Sequence, residues 1–136
     1  TRLTDAPHGP RRGHGGVMTA TRQRLGHLGE NYATRYLRAC GWLILDRNWR
    51  CRQGEIDIVG LDHGQIVVCE VRTRSGINAG SAIESVTPVK VRKLRLLALQ
   101  WLRSRGVSGK GVRIDVIGIQ VDGAGRPHIT HVRGVE

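Results

Sequence analysis

Phenylalanine is absent from this sequence, and tryptophan and tyrosine together bring the aromatic content to only 4%. Any core must therefore be aliphatic, built mainly from Val, Ile, Leu and Ala. The apolar share of 39% in 136 residues is enough for one core and one domain. No apolar run approaches the roughly 18 residues that a membrane-spanning helix needs, which excludes an integral helical membrane protein. The N-terminal stretch also lacks a basic start followed by the apolar segment of roughly 7–15 residues that marks a secretory leader. Cysteine is scarce too. Cys40, Cys51 and Cys69 are odd in number and form no C-x-x-C pair, which argues against a disulfide framework or a zinc ribbon. Cys69 lies inside an apolar run, where a thiol behaves as a small core residue, and that suits the reducing cytoplasm.

Acidic residues are missing where basic ones gather. The formal charge is +11, with a pI of about 11.2. Between Ser85 and Ile114 there are eight basic residues and no acidic one. A segment of one sign is an electrostatic footprint for a polyanion, although a solvated basic face would read the same way.

What remains has clear periodicity. Residues 1–21 carry Gly, Pro, Arg and His without a hydrophobic period and read as a disordered N-terminal segment; 22–136 read as a single domain. Leu25, Leu28, Tyr32, Ala33, Tyr36, Leu37 and Cys40 recur at helical steps, and Gly41 stands where a helix stops. Trp42–Trp49 and Glu55–Leu61 read as strands. The latter turns at Asp62–Gly64 into a third strand, Gln65–Arg72, apolar almost throughout and so central. Thr73–Ser85 reads as a loop. Thr87-Pro88 caps a helix with an apolar stripe of Val91, Leu94, Ala98, Trp101 and Leu102 that ends at Gly106. Arg113–Val121 and Pro127–Val132 complete the strands. The expected fold is an α-β-β-β-α-β sandwich with a central mixed sheet flanked by helices.

The chemistry lies in the carboxylates. Side chains on a strand alternate faces. In Glu55-Ile56-Asp57-Ile58 the two acids are expected on one face and the two isoleucines on the other. Glu70 and Arg72 share a face, opposite Cys69 and Val71. If the two strands pair through the Asp62–Gly64 turn, Asp57 and Glu70 come together. A Glu in the middle of an apolar strand is costly unless its charge is paired or bound to metal. Two hard oxygen donors suit Mg²⁺, with water and phosphate completing its shell. Spacing alone leaves a second reading open. Glu70 could form a structural ion pair with Arg72 or Arg50, and Glu55 could be a surface acid.

Three blocks in order, Gly29-Glu30, Gln53-Gly54-Glu55-Ile56-Asp57-Ile58-Val59 and Val68-Cys69-Glu70-Val71-Arg72-Thr73-Arg74, resemble the YraN-like family of small bacterial proteins. That family is similar in pattern to the PD-(D/E)XK nuclease superfamily, archaeal Holliday-junction resolvases included. The resemblance spans about residues 26–120. It implies a restriction-endonuclease-like fold, with Asp57 and Glu70 as ligands of Mg²⁺ (or Mn²⁺) and Glu30 on the first helix as an accessory acid. The superfamily pattern has Lys two residues after the Glu, where this chain has Arg72. A guanidinium stays protonated and cannot act as a base, but it grips phosphate in bidentate fashion. On this reading Arg72 limits catalysis, and Arg72→Lys should raise it. Lys90 offers an ammonium from another direction, although solvent is the ordinary place for such a side chain.

The implied activity is metal-dependent endonucleolytic cleavage of DNA, branched DNA included. Asp57, Glu70, Arg72 and Glu30 would be at the catalytic centre, and Lys90, Arg92, Lys93 and Arg95 would hold the backbone. Two other readings compete with it: a nucleic-acid-binding module of the same fold that has lost catalysis, and a protein-interaction domain with an acidic partner. Nucleic acid, foremost DNA, is the expected partner and the cytoplasm the expected location. No membrane partner is expected, and homodimerisation is left open.

Overall fold

The computed structural model describes residues 14–76 and 81–136, with side chains from 24 and from 82 onward in those two stretches. The chain runs α1 (His14–Ala39), β1 (Leu43–Cys51), β2 (Gly54–Asp62), β3 (Gln65–Ser75), α2 (Ser81–Glu84), α3 (Pro88–Ser104), β4 (Val112–Val121) and β5 (Pro127–Val132). The five strands form one sheet in the order β1-β2-β3-β4-β5. Only β3 and β4 are parallel; the other three pairings are antiparallel. The expected mixed α/β sheet with flanking helices is thus present. The strand that reads as apolar almost throughout, β3, is its middle member, covered on both faces. Among the described residues no helix is long and apolar enough to cross a membrane.

The aliphatic content is divided into two layers, one on each face of the sheet. Ala33 and Leu37 of α1 pack with Ile58, Val67, Cys69, Val71, Ile117 and Ile119. Leu94, Leu97, Ala98 and Trp101 of α3 pack with Ile56, Val59, Val68 and Ile114 on the other face. The start of α3 is as the sequence reads: the Thr87 hydroxyl accepts the Lys90 amide at 3.1 Å, with Pro88 in the first turn.

Three expectations change. First, α1 begins at His14 and so runs through residues 14–21, read from composition as disordered; residues 1–13 lie outside the described residues. Extending a helix already held by packing costs far less than nucleating one. Second, the stretch Thr73–Ser85, read as a loop, contributes the end of β3 and the short helix α2; residues 77–80 lie outside the described residues. Third, the buried face of α1 is rotated from the expected stripe. Leu28 is 65% exposed and Cys40 is exposed, while Gly26, Gly29, Glu30, Ala33, Thr34 and Leu37 are buried. Close approach decides this. A Cβ on Gly29 would lie 2.0 Å from Oγ1 of Thr73 on β3, so only a glycine lets the helix sit so near the strand.

Gly29→Ala is therefore expected to destabilise the protein in urea unfolding. The ~1 kcal/mol that alanine contributes through helix propensity is outweighed by an overpacking cost of about 1–3 kcal/mol, or more. Combining it with Thr73→Ala, which removes the nearest atom, should recover part of the loss; strictly additive effects would place the clash elsewhere.

Candidate metal and nucleic-acid site

At Asp57, β2 departs from simple alternation. Ile56 belongs to the α3-side layer and Ile58 to the α1-side layer. The two isoleucines expected on one face therefore lie on opposite faces, and the break falls at Asp57. Across β1, the pairs Arg47↔Ile58 and Trp49↔Ile56 flank Asn48, which has a positive φ of 52°. This local irregularity sits directly opposite Asp57. On the other side, the β2–β3 ladder closes at Ile58↔Cys69, and the next step in that register sets Asp57 opposite Glu70. Instead of a ladder carbonyl, Asp57 Oδ2 accepts the Val71 amide at 3.0 Å. That amide belongs to the peptide joining Glu70 to Val71, so the Asp57 carboxylate is anchored on the backbone of the Glu70 strand by a charge-assisted hydrogen bond. Asp57 and Glu70 are both buried.

Glu70 lies on the α3 face, and two cations converge on one of its oxygens. Arg72 Nε donates to Oε2 at 3.0 Å, and Lys90 Nζ is 3.9 Å from the same atom. Arg72 is two residues along the same strand, where the pleat returns side chains to one face. Lys90 arrives from the first turn of α3. It starts the row Lys90, Leu94, Leu97, Trp101, at helical spacing along the buried face. Its side chain is only 17% exposed, which corrects the expectation of a solvent-exposed lysine; that row was the signal in the sequence. The ion-pair alternative holds in part. Arg72 does pair with Glu70, while Arg50 pairs with Glu55 at 3.1 Å.

Glu30 is fully buried on α1, where its neighbour Gly29 abuts Thr73. Arg92, Lys93 and Arg95 are exposed on α3; Lys93 reaches toward Gly54, and Arg95 donates to the Val135 carbonyl at 3.1 Å. The basic residues of the helix thus divide into one that enters the site, Lys90, and four on its outer surface, Arg92, Lys93, Arg95 and Arg103. Among the described residues no three His, Cys, Asp or Glu side chains are grouped as a metal cage. The donor set is a pair of carboxylates, which fits Mg²⁺, an ion that keeps several waters and takes one or two carboxylates.

A second polar cluster lies on the α1 face of the sheet. Asp115, wholly buried on β4, accepts from Arg113 Nε and Nη2, from His131 Nε2 and from the Gly134 amide, at 2.8–3.0 Å. Burial pushes its carboxyl up, but the bonds from His131, Arg113 and Gly134 together outweigh burial and hold it below its ordinary value. His131 Nδ1 bonds the Tyr36 hydroxyl at 2.9 Å, and Arg113 also reaches Asp62 at 2.9 Å. The cluster ties α1, the β2–β3 turn, β4 and β5 together. The signal that singles out Glu70, an acid inside an apolar strand, is present at Asp115 too. Cys69 is wholly buried nearby, and burial raises its thiol well above the ordinary range, in keeping with a core residue.

These features define a class: a small α/β protein whose central strand carries a buried glutamate, faced by an aspartate and two cations. The chain belongs to the family described as "Uncharacterised protein family UPF0102", whose model matches residues 29–119; this is the YraN-like family that the motifs point to. It is 47% identical to a UPF0102 protein of Nocardioides sp. (strain ATCC BAA-499 / JS614) over 119 residues, covering 88% of this chain and 96% of the relative. A UPF0102 protein of Mycolicibacterium smegmatis is also 47% identical, over 122 residues, with 88% and 98% covered.

Proposed function

We propose that this protein is a metal-dependent DNA endonuclease of the PD-(D/E)XK kind, with its centre at Asp57, Glu70, Arg72 and Lys90. The observation that carries the reading is the pairing of opposites at Glu70. A buried carboxylate on the central strand stands across from Asp57 and is bracketed by a guanidinium and an ammonium. Phosphodiester hydrolysis needs both signs: oxygens to hold a hard cation, and cations to neutralise a phosphate. Asp57 and Glu70 would hold Mg²⁺ or Mn²⁺, which when bound activates water and neutralises charge on the scissile phosphate. The Val71 amide orients the Asp57 carboxylate. Arg72 remains charged and offers further N–H donors to a non-bridging oxygen. Lys90 brings a second positive charge to the same point. Glu30 has an accessory role through its position on α1.

One observation favours a second reading. The charge of Glu70 is already matched by Arg72 and Lys90, as in a structural ion-pair network, so the same fold could bind nucleic acid without cutting it. A cleavage assay on linear, nicked and four-way-junction DNA separates the two. Magnesium-dependent cleavage that is abolished in Glu70→Ala supports the enzyme. Salt-sensitive binding without cleavage selects the binding module, and binding to neither DNA nor RNA would overturn both.

The outer face of α3 is expected to hold the backbone. Replacing Arg92, Lys93 and Arg95 with Gln should flatten the log–log dependence of duplex affinity on salt by roughly 0.9 for each phosphate that is no longer neutralised. An unchanged slope would remove this helix from the interface.

A further inference from the structure

A groove at the far end of α3 takes no part in the Asp57–Glu70 site. It consists of two adjoining compartments of about 300 and 290 Å³ that share Arg95, Gly111, Val112 and Ile114. The first is lined with carbon: Ala98, Leu99 and Leu102 of α3 and Val112 and Ile114 of β4 form its walls. Arg95 and Lys110 are its charged members, and among the described residues it has no acidic one. The second compartment is polar, with Gln65, Arg113, Gly134 and Glu136. Leu99 is 51% exposed and Leu96, one turn before it, 64% exposed, so an aliphatic strip on the helix surface leads toward the groove.

Charge and shape together select an occupant. Arg92, Lys93, Arg95 and Arg103 lie exposed along the same helix, within a stretch of chain that has no Asp or Glu from Ser85 to Ile114. A ligand here must be anionic and must also carry an aliphatic group. Nucleic acid meets only the first condition. Unstacked bases are held by aromatic side chains, and among the described residues no aromatic side chain lines either compartment. An acidic peptide meets both, with aliphatic side chains in the carbon-lined compartment and carboxylates toward Arg95 and Lys110. Glu136 sets the polarity, since it disfavours acidic residues at the β4 end of the groove. We propose that the α3–β4 groove is a docking site for a short acidic segment of a partner protein that carries aliphatic anchors. The groove shares Arg95 with the α3 face proposed to hold DNA, whereas Leu99 and Lys110 are its own; the inference does not rest on whether the protein cuts DNA.

The test is fluorescence polarisation with the full chain and a short labelled peptide alternating aspartate and leucine. Controls are a peptide alternating aspartate and serine and a labelled oligothymidine. Leu99→Ser and Lys110→Glu change exposed positions, and thermal unfolding confirms that each variant is folded. Each is expected to weaken the leucine peptide by at least about tenfold, on the scale of an interface anchor. Leu99→Ser should leave oligothymidine affinity unchanged. Equal binding of the serine peptide would overturn the proposal, as would an unchanged affinity in Leu99→Ser. Loss of oligothymidine binding in Leu99→Ser, together with displacement of the peptide by oligothymidine, would assign the groove to nucleic acid instead.

Discussion

Lys90→Met is expected to lower the proposed magnesium-dependent DNA cleavage by about 10²–10³-fold, the scale for removing one preorganised group that stabilises charge in the transition state. Duplex affinity should fall by no more than a single phosphate interaction accounts for. Placement is the reason. The first turn of α3 is fixed by the Thr87 cap, and the row through Leu94, Leu97 and Trp101 holds the helix on the sheet, so the Lys90 stem is directed at Glu70 rather than at solvent. Arg72 touches the same carboxylate oxygen more closely and is a planar fork committed to it, whereas Lys90 carries a compact charge on a flexible stem that can turn to a phosphate oxygen. The sequence pattern by itself makes Arg72 the bottleneck and leads to the expectation that Arg72→Lys raises cleavage. With Lys90 already in place, Arg72→Lys should change the rate far less than Lys90→Met does. The comparison uses single-turnover cleavage with Mg²⁺ and with Mn²⁺, and Glu70→Ala as the inactive control. Unfolding of each variant is measured alongside, because Lys90 and Arg72 also balance a buried charge. Wild-type cleavage by Lys90→Met would remove this residue from the reaction.

Asp115→Ala is expected to cost about 3–5 kcal/mol of folding free energy, the scale for removing one partner from a buried charge network. The substitution takes the acceptor from Arg113, His131 and the Gly134 amide together. It leaves Arg113 hydrogen-bonded to Asp62 and His131 to Tyr36. The pH dependence carries a sign. The Asp115 carboxyl is held below its ordinary value, so its contribution is present above that value, about 3.9 for an unfolded Asp. It is lost as pH falls through the lower value of the folded state. The stability gap between wild type and Asp115→Asn should therefore narrow as urea unfolding is moved from neutral pH down toward pH ~3. A gap that stayed constant over that range would show that the ionised carboxylate is not what stabilises the cluster. The proposed DNA cleavage should persist in any folded fraction, since this cluster lies on the α1 face and Glu70 on the other.

The two clusters show what one strand pattern can and cannot convey. Glu70 and Asp115 carry the same signal, a charge inside an apolar strand. Burial of such a charge demands partners, so that each has a role was legible. Which role was not. It depends on what arrives from elsewhere in the chain: Lys90 from a helix that starts well after Glu70 in sequence, and His131 from the last strand. The β2 strand makes the same point more sharply. Perfect alternation predicts Ile56 and Ile58 on one face, yet they serve opposite layers. Asn48 on the neighbouring strand takes a left-handed conformation there, and the ladder to β3 closes before Asp57. A cross-strand irregularity of that kind leaves no trace in the local pattern of β2.

The sequence by itself determined the five strands and α3 within a few residues, the mixed α/β architecture, the central place of β3, the cap of α3, the family, and the identity of Asp57 and Glu70 as the acids to watch. These are consequences of local periodicity, turn chemistry and the cost of burying charge, all of which are written in neighbouring residues. Tertiary structure alone decided which face of α1 is buried, that Lys90 turns inward, and that Asp57 is anchored on the Val71 amide. Each of these is set by residues far apart in the chain meeting in space. The closest such meeting is the approach of Gly29 to Thr73, where the absence of a side chain, rather than the presence of an apolar one, fixes how the helix lies on the sheet.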